Sequence, residues 1–317
     1  AIGVLPLTSG TALAQDNAIL EEIIVTAQRR EENLQDVPIS VTAVSGETVA
    51  TLLEGGEDIR ALATRVPGLY AESSNGRLAP RFYMRGLGNT DFDLAASQSV
   101  SILFDEVVQE NVILKSFPLF DIERVEVLRG PQGTLFGRNT PAGIVKFDSV
   151  KPGEDLNGFG RVSYGRFNAI NAQGAVGGQL AGEAVSARLS VLYQRQDDYI
   201  DNVLPGGVTK DAFEGYEDFA ARLQLLLKPS DDLDILLGGQ VRSLNGTARV
   251  FRANVFTRGQ TGLNSNFNRY AVSTDGKNEQ DVDTWNFSSR ITYDAGPVSL
   301  TSITSYWDGD ATSVGDV

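Results

Sequence analysis

The chain has 317 residues, room for two domains, with a formal net charge of −14 and neither histidine nor cysteine. These absences exclude disulfide, iron–sulfur and thiolate-metal frameworks together with Ser–His–Asp and Cys–His catalysis, and the negative balance argues against nucleic acid as a partner. No apolar run approaches the ~20 residues of a membrane helix, but a β-barrel stays open, because its alternating strands escape hydropathy windows.

In chain order, residues 1–14 read AIGVLPLTSGTALA and end in Ala12-Leu13-Ala14. That is the A-x-A form of a secretory cleavage site, so the stretch reads as a signal-peptide remnant, with a frayed apolar tail as the alternative. Residues 15–35 follow as a linker. Within it Glu22, Ile23, Ile24, Val25, Thr26 and Ala27 form a short β-prone run flanked by charge, with no partner strand nearby in sequence. The pattern predicts a free strand edge to be paired by another chain; a first strand of an ordinary sheet is the alternative.

Residues 36–150 read as a compact α+β domain. Residues 37–44 are strand-like, with Pro38 near the start where a missing N–H is tolerated. Ser45 or Gly46 opens a helix through Leu53, Asp58 caps a second through Arg65, and Val66-Pro67-Gly68 ends it. Residues 81–87 and 100–108 are further strands. Asp91-Phe92-Asp93 then lies in a polar stretch, a solvated loop or a cation or ligand contact. From Ile122 to Leu128 apolar and charged residues alternate, the period of a strand with one polar face. Gly130, Gly133, Gly137 and Gly143, with Pro131 and Pro141, then force tight bends. The bend lacks the Gly-Lys-Ser/Thr ending of a phosphate cradle. Arg85 and Arg129 each follow an apolar strand and precede a glycine. Both are expected to be rigidly held and partly buried, and so to need an acidic partner, Glu123 or Glu126 being candidates within the domain.

The run Glu123-Arg124-Val125-Glu126-Val127-Leu128-Arg129-Gly130-Pro131, followed by Gly133-Thr134-Leu135-Phe136-Gly137, resembles the plug domain of TonB-dependent outer-membrane receptors. The resemblance implies an α+β plug followed by an antiparallel transmembrane β-barrel in the outer membrane of a Gram-negative bacterium. It implies that residues 22–27 are a TonB box, and that Arg85 and Arg129 pair with glutamates on the barrel wall. Implied partners are TonB with its proton-driven inner-membrane complex, outer-membrane lipid, and a small-molecule or metal-chelate ligand. The implied function is import of a scarce nutrient, most often a ferric siderophore, without bond chemistry, metal centre or cofactor. Where relatives have a Gly-Gly-Ala-Ile-Asn-like run, residues 142–148 carry Lys146 and Asp148, which leaves the packing of the last plug strand open.

Residues 151–317 repeat one device, about ten alternating residues and then a turn. Val185, Ala187, Leu189, Val191 and Tyr193 share one face, and Ser186, Arg188, Ser190 and Gln194 the other. Phe219, Ala221, Leu223, Leu225 and Leu227 oppose Arg222, Gln224 and Lys228. Trp285, Phe287, Ile291 and Tyr293 oppose Asn286, Ser288, Arg290 and Thr292. About seven such strands compare with the ~22 of a plugged transporter, so this is the amino-terminal part of a barrel. Short turns alternate with long polar insertions at residues 202–215 and 244–281, expected as outer loops. Asp197-Asp198 and Asp231-Asp232 sit at turns and read as solvated charge. A passive plugged porin or adhesin, and a secreted soluble β-protein acting on carbohydrate through paired carboxylates, are the competing readings. Cobalamin, saccharide and aromatic cargo are also open, whereas the lack of histidine counts against haem.

Overall fold

The computed structural model describes residues 23–315 apart from 31, 90, 92, 94, 95, 183, 205, 248, 253, 254 and 258. The leader-like residues 1–14, Glu22 and Phe92 lie outside the described residues.

The amino-terminal half builds a five-stranded sheet. The strands of this half are β1 (Ile24–Val25), β2 (Glu32–Asn33), β3 (Ser40–Ser45), β4 (Leu69–Glu72), β5 (Arg81–Met84), β6 (Val100–Phe104), β7 (Val107–Gln109), β8 (Ile122–Arg129) and β9 (Gly143–Ser149). The sheet runs β3-β8-β9-β6-β7, antiparallel except for β6 against β9, while β1 pairs β2 and β4 pairs β5. Helix α1 (Gly46–Leu52) starts where Ser45 Oγ accepts from Thr48 N–H at 3.3 Å, a side-chain cap for an otherwise orphaned donor. Gly46 is required there, since a Cβ would fall 1.9 Å from the Ile122 carbonyl oxygen. Asp58 caps the next segment as expected, but Ile59–Thr64 forms a 3-10 helix. The segment 100–108 is a tight hairpin rather than one strand, turned by Asp105 and Glu106 at φ of 47° and 67°. Around the glycine-rich bend, Gly130 (φ 98°) and Gly137 (φ 81°) need left-handed backbone, and a single turn of helix, α2 (Gly133–Phe136), lies between them.

Alternation puts opposite residues of β8 and β9 on two faces. Val125, Val127, Val145 and Phe147 join Ile102, Val49, Leu53 and Leu62 under α1 and the 3-10 helix. Leu128 and Ile144 face the other way, where Val25, Ala27, Val37 and Phe136 cover them. The polar face expected of residues 122–128 is therefore not solvated. The amino-terminal segment lies over it, and Glu126 is 0 % exposed.

The carboxyl-terminal half is a seven-stranded antiparallel sheet. Its strands are β10 (Asn157–Tyr164), β11 (Ile170–Ala181), β12 (Val185–Gln196), β15 (Tyr216–Ser230), β16 (Leu233–Gly246), β18 (Glu279–Asp294) and β19 (Ser299–Val314), paired in that order. Among the described residues the outer edges of the first and last of these strands have no strand partner, so the seven form an open arc. Strand lengths of up to 16 residues exceed those of an ordinary sandwich. The long insertions differ from the expected loops. β13 (Ile200–Leu204), β14 (Gly207–Phe213) and β17 (Ala271–Val272) form a small sheet of their own around Ile200, Phe213, Val250 and Val272.

Burial in the wall is inverted relative to a soluble protein. On β12, Ser186, Arg188, Ser190 and Gln194 are buried, whereas Leu189 and Val191 are exposed. On β15, Arg222 and Gln224 are buried and Leu223 is 49 % exposed. Phe219, Trp285, Phe287, Tyr293 and Tyr306 extend the apolar outer face. This is the signature of a membrane barrel wall, apolar towards lipid and polar towards the lumen. It removes the soluble-sandwich reading.

Candidate functional site

Three regions bear on function: the plug–wall contact, the seat of the amino-terminal strand, and the outer rim.

At the plug–wall contact the wall supplies the arginines, and their acids are Asp121 of the plug and Asp218 of the wall itself. Arg188 donates to Asp121 through Nε at 2.7 Å and Nη2 at 2.6 Å, and Ser190 Oγ adds a third hydrogen bond to the same carboxylate. Arg222 Nη2 donates to the Phe120 and Asp121 carbonyl oxygens at 2.8 and 3.0 Å, with its guanidinium 4.6 Å from the centroid of Phe120. Arg242 makes a bidentate pair with Asp218 at 2.9 and 2.8 Å and donates to the Ser116 carbonyl at 2.8 Å. All of these side chains are buried. A buried charge survives because its partner and hydrogen bonds replace water, and Asp121 meets that condition. Burial opposes ionisation of Asp105, yet Lys151 and Arg222 hold its carboxyl below the usual range. Burial pushes the Lys115 ammonium down to about 8 against the attraction of Glu110.

The two arginines singled out in sequence behave differently. Arg85 is exposed, at φ 51°, and Arg129 is half-buried. Arg129 donates to Thr42 Oγ1 and to the Pro67 carbonyl, both at 2.9 Å. Among the described residues neither pairs with a carboxylate: Arg85 is exposed rather than partly buried, and the pair within the domain to Glu123 or Glu126 does not form for either. Burial, then repulsion from Arg85, lowers the Arg129 pKa, the mark of two like charges set side by side. The acids proposed within the domain belong to Arg124, which lies 3.0 Å from both Glu123 and Glu126 and 3.2 Å from Asp148. Of the motif residues, Glu126 and Arg124 thus form a buried cluster, Gly130 and Gly137 shape the bend, and Glu123, Pro131 and Gly133 are exposed.

The amino-terminal strand sits on this cluster. Thr26 N–H donates to Glu126 Oε1 at 2.8 Å, Thr26 Oγ1 donates to the same oxygen at 3.1 Å, and Lys146 Nζ donates to Thr26 Oγ1. Lys146, opposite Glu126 on β9, lies 3.0 Å from Asp148, so the departure at residues 142–148 forms an ordered, fully buried strand. Val25 and Ala27 are buried, while Ile23 and Ile24 are exposed. The expected free edge is not free. β1 pairs antiparallel with β2, Ile24 opposite Asn33 and Val25 opposite Glu32. A two-residue strand carries too little pattern for that hairpin to be read from sequence. Thr26 and Arg29 also line a cavity of about 450 Å³ between plug and wall, shared with Lys146, Asp148, Lys151 and Arg290.

At the opposite rim, the ends of β12, β15 and β16 surround an open cavity of about 830 Å³ lined by Phe167, Arg195, Asp197, Asp211 and Glu217. Phe167 stacks on Tyr199 with centroids 4.1 Å apart. Asp198 Oδ1 accepts from Gly215 N–H at 2.6 Å and Asp197 from Asn168 at 2.8 Å, so this pair holds loops together. Asp231 and Asp232 form an exposed turn. Asp91 accepts from Asp93 N–H at 2.9 Å, an Asx turn within its loop. Among the described residues no group of three or more acidic side chains converges on a metal-sized site.

With that geometry in place, the comparisons with known proteins define the class. Residues 33–144 match the family described as TonB-dependent Receptor Plug Domain. Those residues form a plug domain of that family, and the seven strands that follow have the apolar outer and polar inner faces of an outer-membrane receptor wall. It is similar to the ferrioxamine B receptor of Salmonella typhimurium, 28 % identical over 166 residues that cover 51 % of this chain and 23 % of the relative. It is similar also to the catecholate siderophore receptor Fiu of Escherichia coli, 25 % identical over 215 residues that cover 62 % of this chain and 26 % of that protein. The chain therefore matches only about a quarter of the length of these relatives. Both are receptors, not enzymes. The same fold occurs in the ferric yersiniabactin uptake receptor FyuA of Yersinia pestis, with a TM-score of 0.73 and 19 % identity over 86 % of this chain and 41 % of that one.

Proposed function

We propose that the protein is a receptor and active transporter that binds a ferric siderophore on the outer face and delivers it to the periplasm with energy relayed by TonB. The observation that carries the reading is the placement of residues 23–27: a short strand joined directly to the plug, seated on its sheet by Thr26, Val25 and Ala27. A pull on that strand acts on the element that fills the lumen. Ligand binding at the outer rim loosens the strand, TonB adds to its edge, and the inner-membrane proton gradient supplies the work. The two relatives, a ferrioxamine B receptor and a catecholate siderophore receptor, support an iron-chelate cargo. The glutamates that pair with Arg85 and Arg129 come from wall strands other than these seven.

Deleting residues 22–27 should abolish uptake of the radiolabelled ferric chelate by whole cells while its binding to the cells is kept. Uptake that survives the deletion, or that persists when the proton gradient is collapsed, would overturn the reading in favour of a passive plugged porin.

A further inference from the structure

Three residues that line the outer-rim cavity, Arg195, Glu217 and Asn245, stand directly opposite one another on β12, β15 and β16. By alternation they share the outward face with Val191, Phe219 and Val241, all exposed, while their neighbours Gln194, Asp218 and Leu244 are buried on the plug side. These three therefore form a shelf on the lipid side of the wall, not in the bore that a cargo would follow. Glu217 lies two residues beyond Phe219, about 7 Å along the strand, and Phe219 stands opposite Tyr193. Outward aromatics of this kind mark the membrane–water boundary, so the shelf sits at the height of the lipid headgroups. Its polar side chains are already tied into an array. Tyr164 Oη donates to Asn168 Oδ1 at 2.7 Å, Asn168 Nδ2 donates to Asp197 Oδ2 at 2.8 Å, and Arg195 Nη2 donates to Asp197 Oδ1 at 3.0 Å. Phe167 is held beside them at a φ of 59°, a backbone conformation that is costly for an aromatic residue.

From this we propose that the shelf binds the neutral sugar headgroup of a glycolipid in the outer leaflet. The occupant follows from continuity with the wall below. A molecule whose acyl chains lie against Leu189, Val191 and Leu223 places its headgroup on Arg195, Glu217 and Asn245. The chemistry fits sugar. Each hydroxyl is both donor and acceptor, and planar carboxylate, amide and guanidinium groups meet neighbouring hydroxyls two at a time. The exposed Tyr164 ring adds an apolar body beside a polar tip, suited to the C–H face of a sugar ring. Charge selects against phosphate. Four acids, Asp197, Asp198, Asp211 and Glu217, line the cavity against one base, Arg195. Further along the same outward face Asp283 stands opposite Asp310. Such a rim repels an anionic headgroup, whereas sugar hydroxyls donate to its carboxylates. Among the described residues the acids do not converge as a bridging cation would require. The proposal rests on the lipid-facing orientation of the wall and is independent of the cargo and of TonB.

The full-length receptor in detergent micelles, titrated into a fluorescent diglucosyl diacylglycerol and followed by anisotropy, should show saturable binding. Glu217→Gln and Asp197→Asn keep the side-chain shape and remove the charged acceptor, and each should weaken binding fivefold or more. The double variant should bind this lipid no better than it binds the same fluorescent diacylglycerol without sugar. Glu217 and Asn245 are exposed, so Glu217→Gln and Asn245→Ala test the shelf even if Asp197→Asn loosens the rim. Equal binding of the sugar-free lipid by the parent receptor, or binding unchanged in Glu217→Gln and Asn245→Ala, overturns the proposal. Full competition by the free diglucoside at the same concentration also overturns it, making the pocket a site for soluble sugar. A preference for phosphorylated lipid A that vanishes when Mg2+ is chelated overturns it in favour of a cation-bridged phosphate.

Discussion

The plug and the wall use the same code, a residue alternation of period two, and bury opposite halves of it. In the plug sheet Val125, Val127, Val145 and Phe147 go inside. In the wall the apolar set of β12 and β15 stays outside and the polar set is buried against the plug. Alternation thus specifies that two faces differ, while the surrounding medium decides which one is buried. The wall tolerates buried arginine because the plug brings Asp121 and backbone carbonyls to meet it. The plug in turn keeps Asp121 charged and buried because the wall brings guanidinium groups. Arg188 and Asp121, one from each half, are satisfied only together.

The largest test of this mutual dependence is Asp121→Ala. It strands Arg188 in a buried site, and removing one member of a buried pair costs ~3–5 kcal/mol. Thermal unfolding of the full-length receptor in detergent should fall by several degrees, and the plug should become accessible to protease; an unchanged melting temperature would mean that the two halves are independent. A somewhat smaller effect is expected for Leu223→Arg, which places charge on the outer face near the middle of β15. The cost at a bilayer midplane is ~2–4 kcal/mol, read as loss of refolding yield into lipid vesicles, and full yield would contradict a lipid-facing assignment.

The smallest effect sharpens the plug side. Lys115, held at about 8 by burial against an ordinary value of 10.5, binds its proton less tightly in the fold than in the unfolded chain. Between those two pH values the unfolded state carries more protons, so this group's contribution to stability rises with pH, and below about 8 its penalty is constant at up to ~3 kcal/mol. Lys115→Met should therefore be more stable than the parent at pH 7, with the difference shrinking towards pH 10. A difference that does not change over that range would show that Lys115 finds a counter-charge in the membrane.

What the sequence made legible follows the reach of its signals. The seven wall strands, the Ser45 cap of α1 and the lumen-facing set with Arg188 and Arg222 are local patterns, and the structure places them as expected. The acid that meets those arginines is Asp121, 67 residues from Arg188 and 101 from Arg222, and nothing in its flanks marks it. Arg85 and Arg129 misled for the converse reason. An apolar strand before them and a glycine after them describe the backbone, whereas burial depends on what packs over the side chain. The outer sheet escaped because its parallel pairing joins Asp201 and Asn202 to Ala271 and Val272, two-residue contacts across a long insertion.

The guanidinium groups of Arg188, Arg222 and Arg242 stand on three successive wall strands, pointing into the bore. With the plug in place their charge is answered mainly by Asp121, Asp218 and carbonyl dipoles. Were the plug displaced as a unit, Asp121 would leave with it while Asp218 stayed with Arg242, and the bare duct would show two positive groups, Arg188 and Arg222, on this side, a lining favourable to a passing anion.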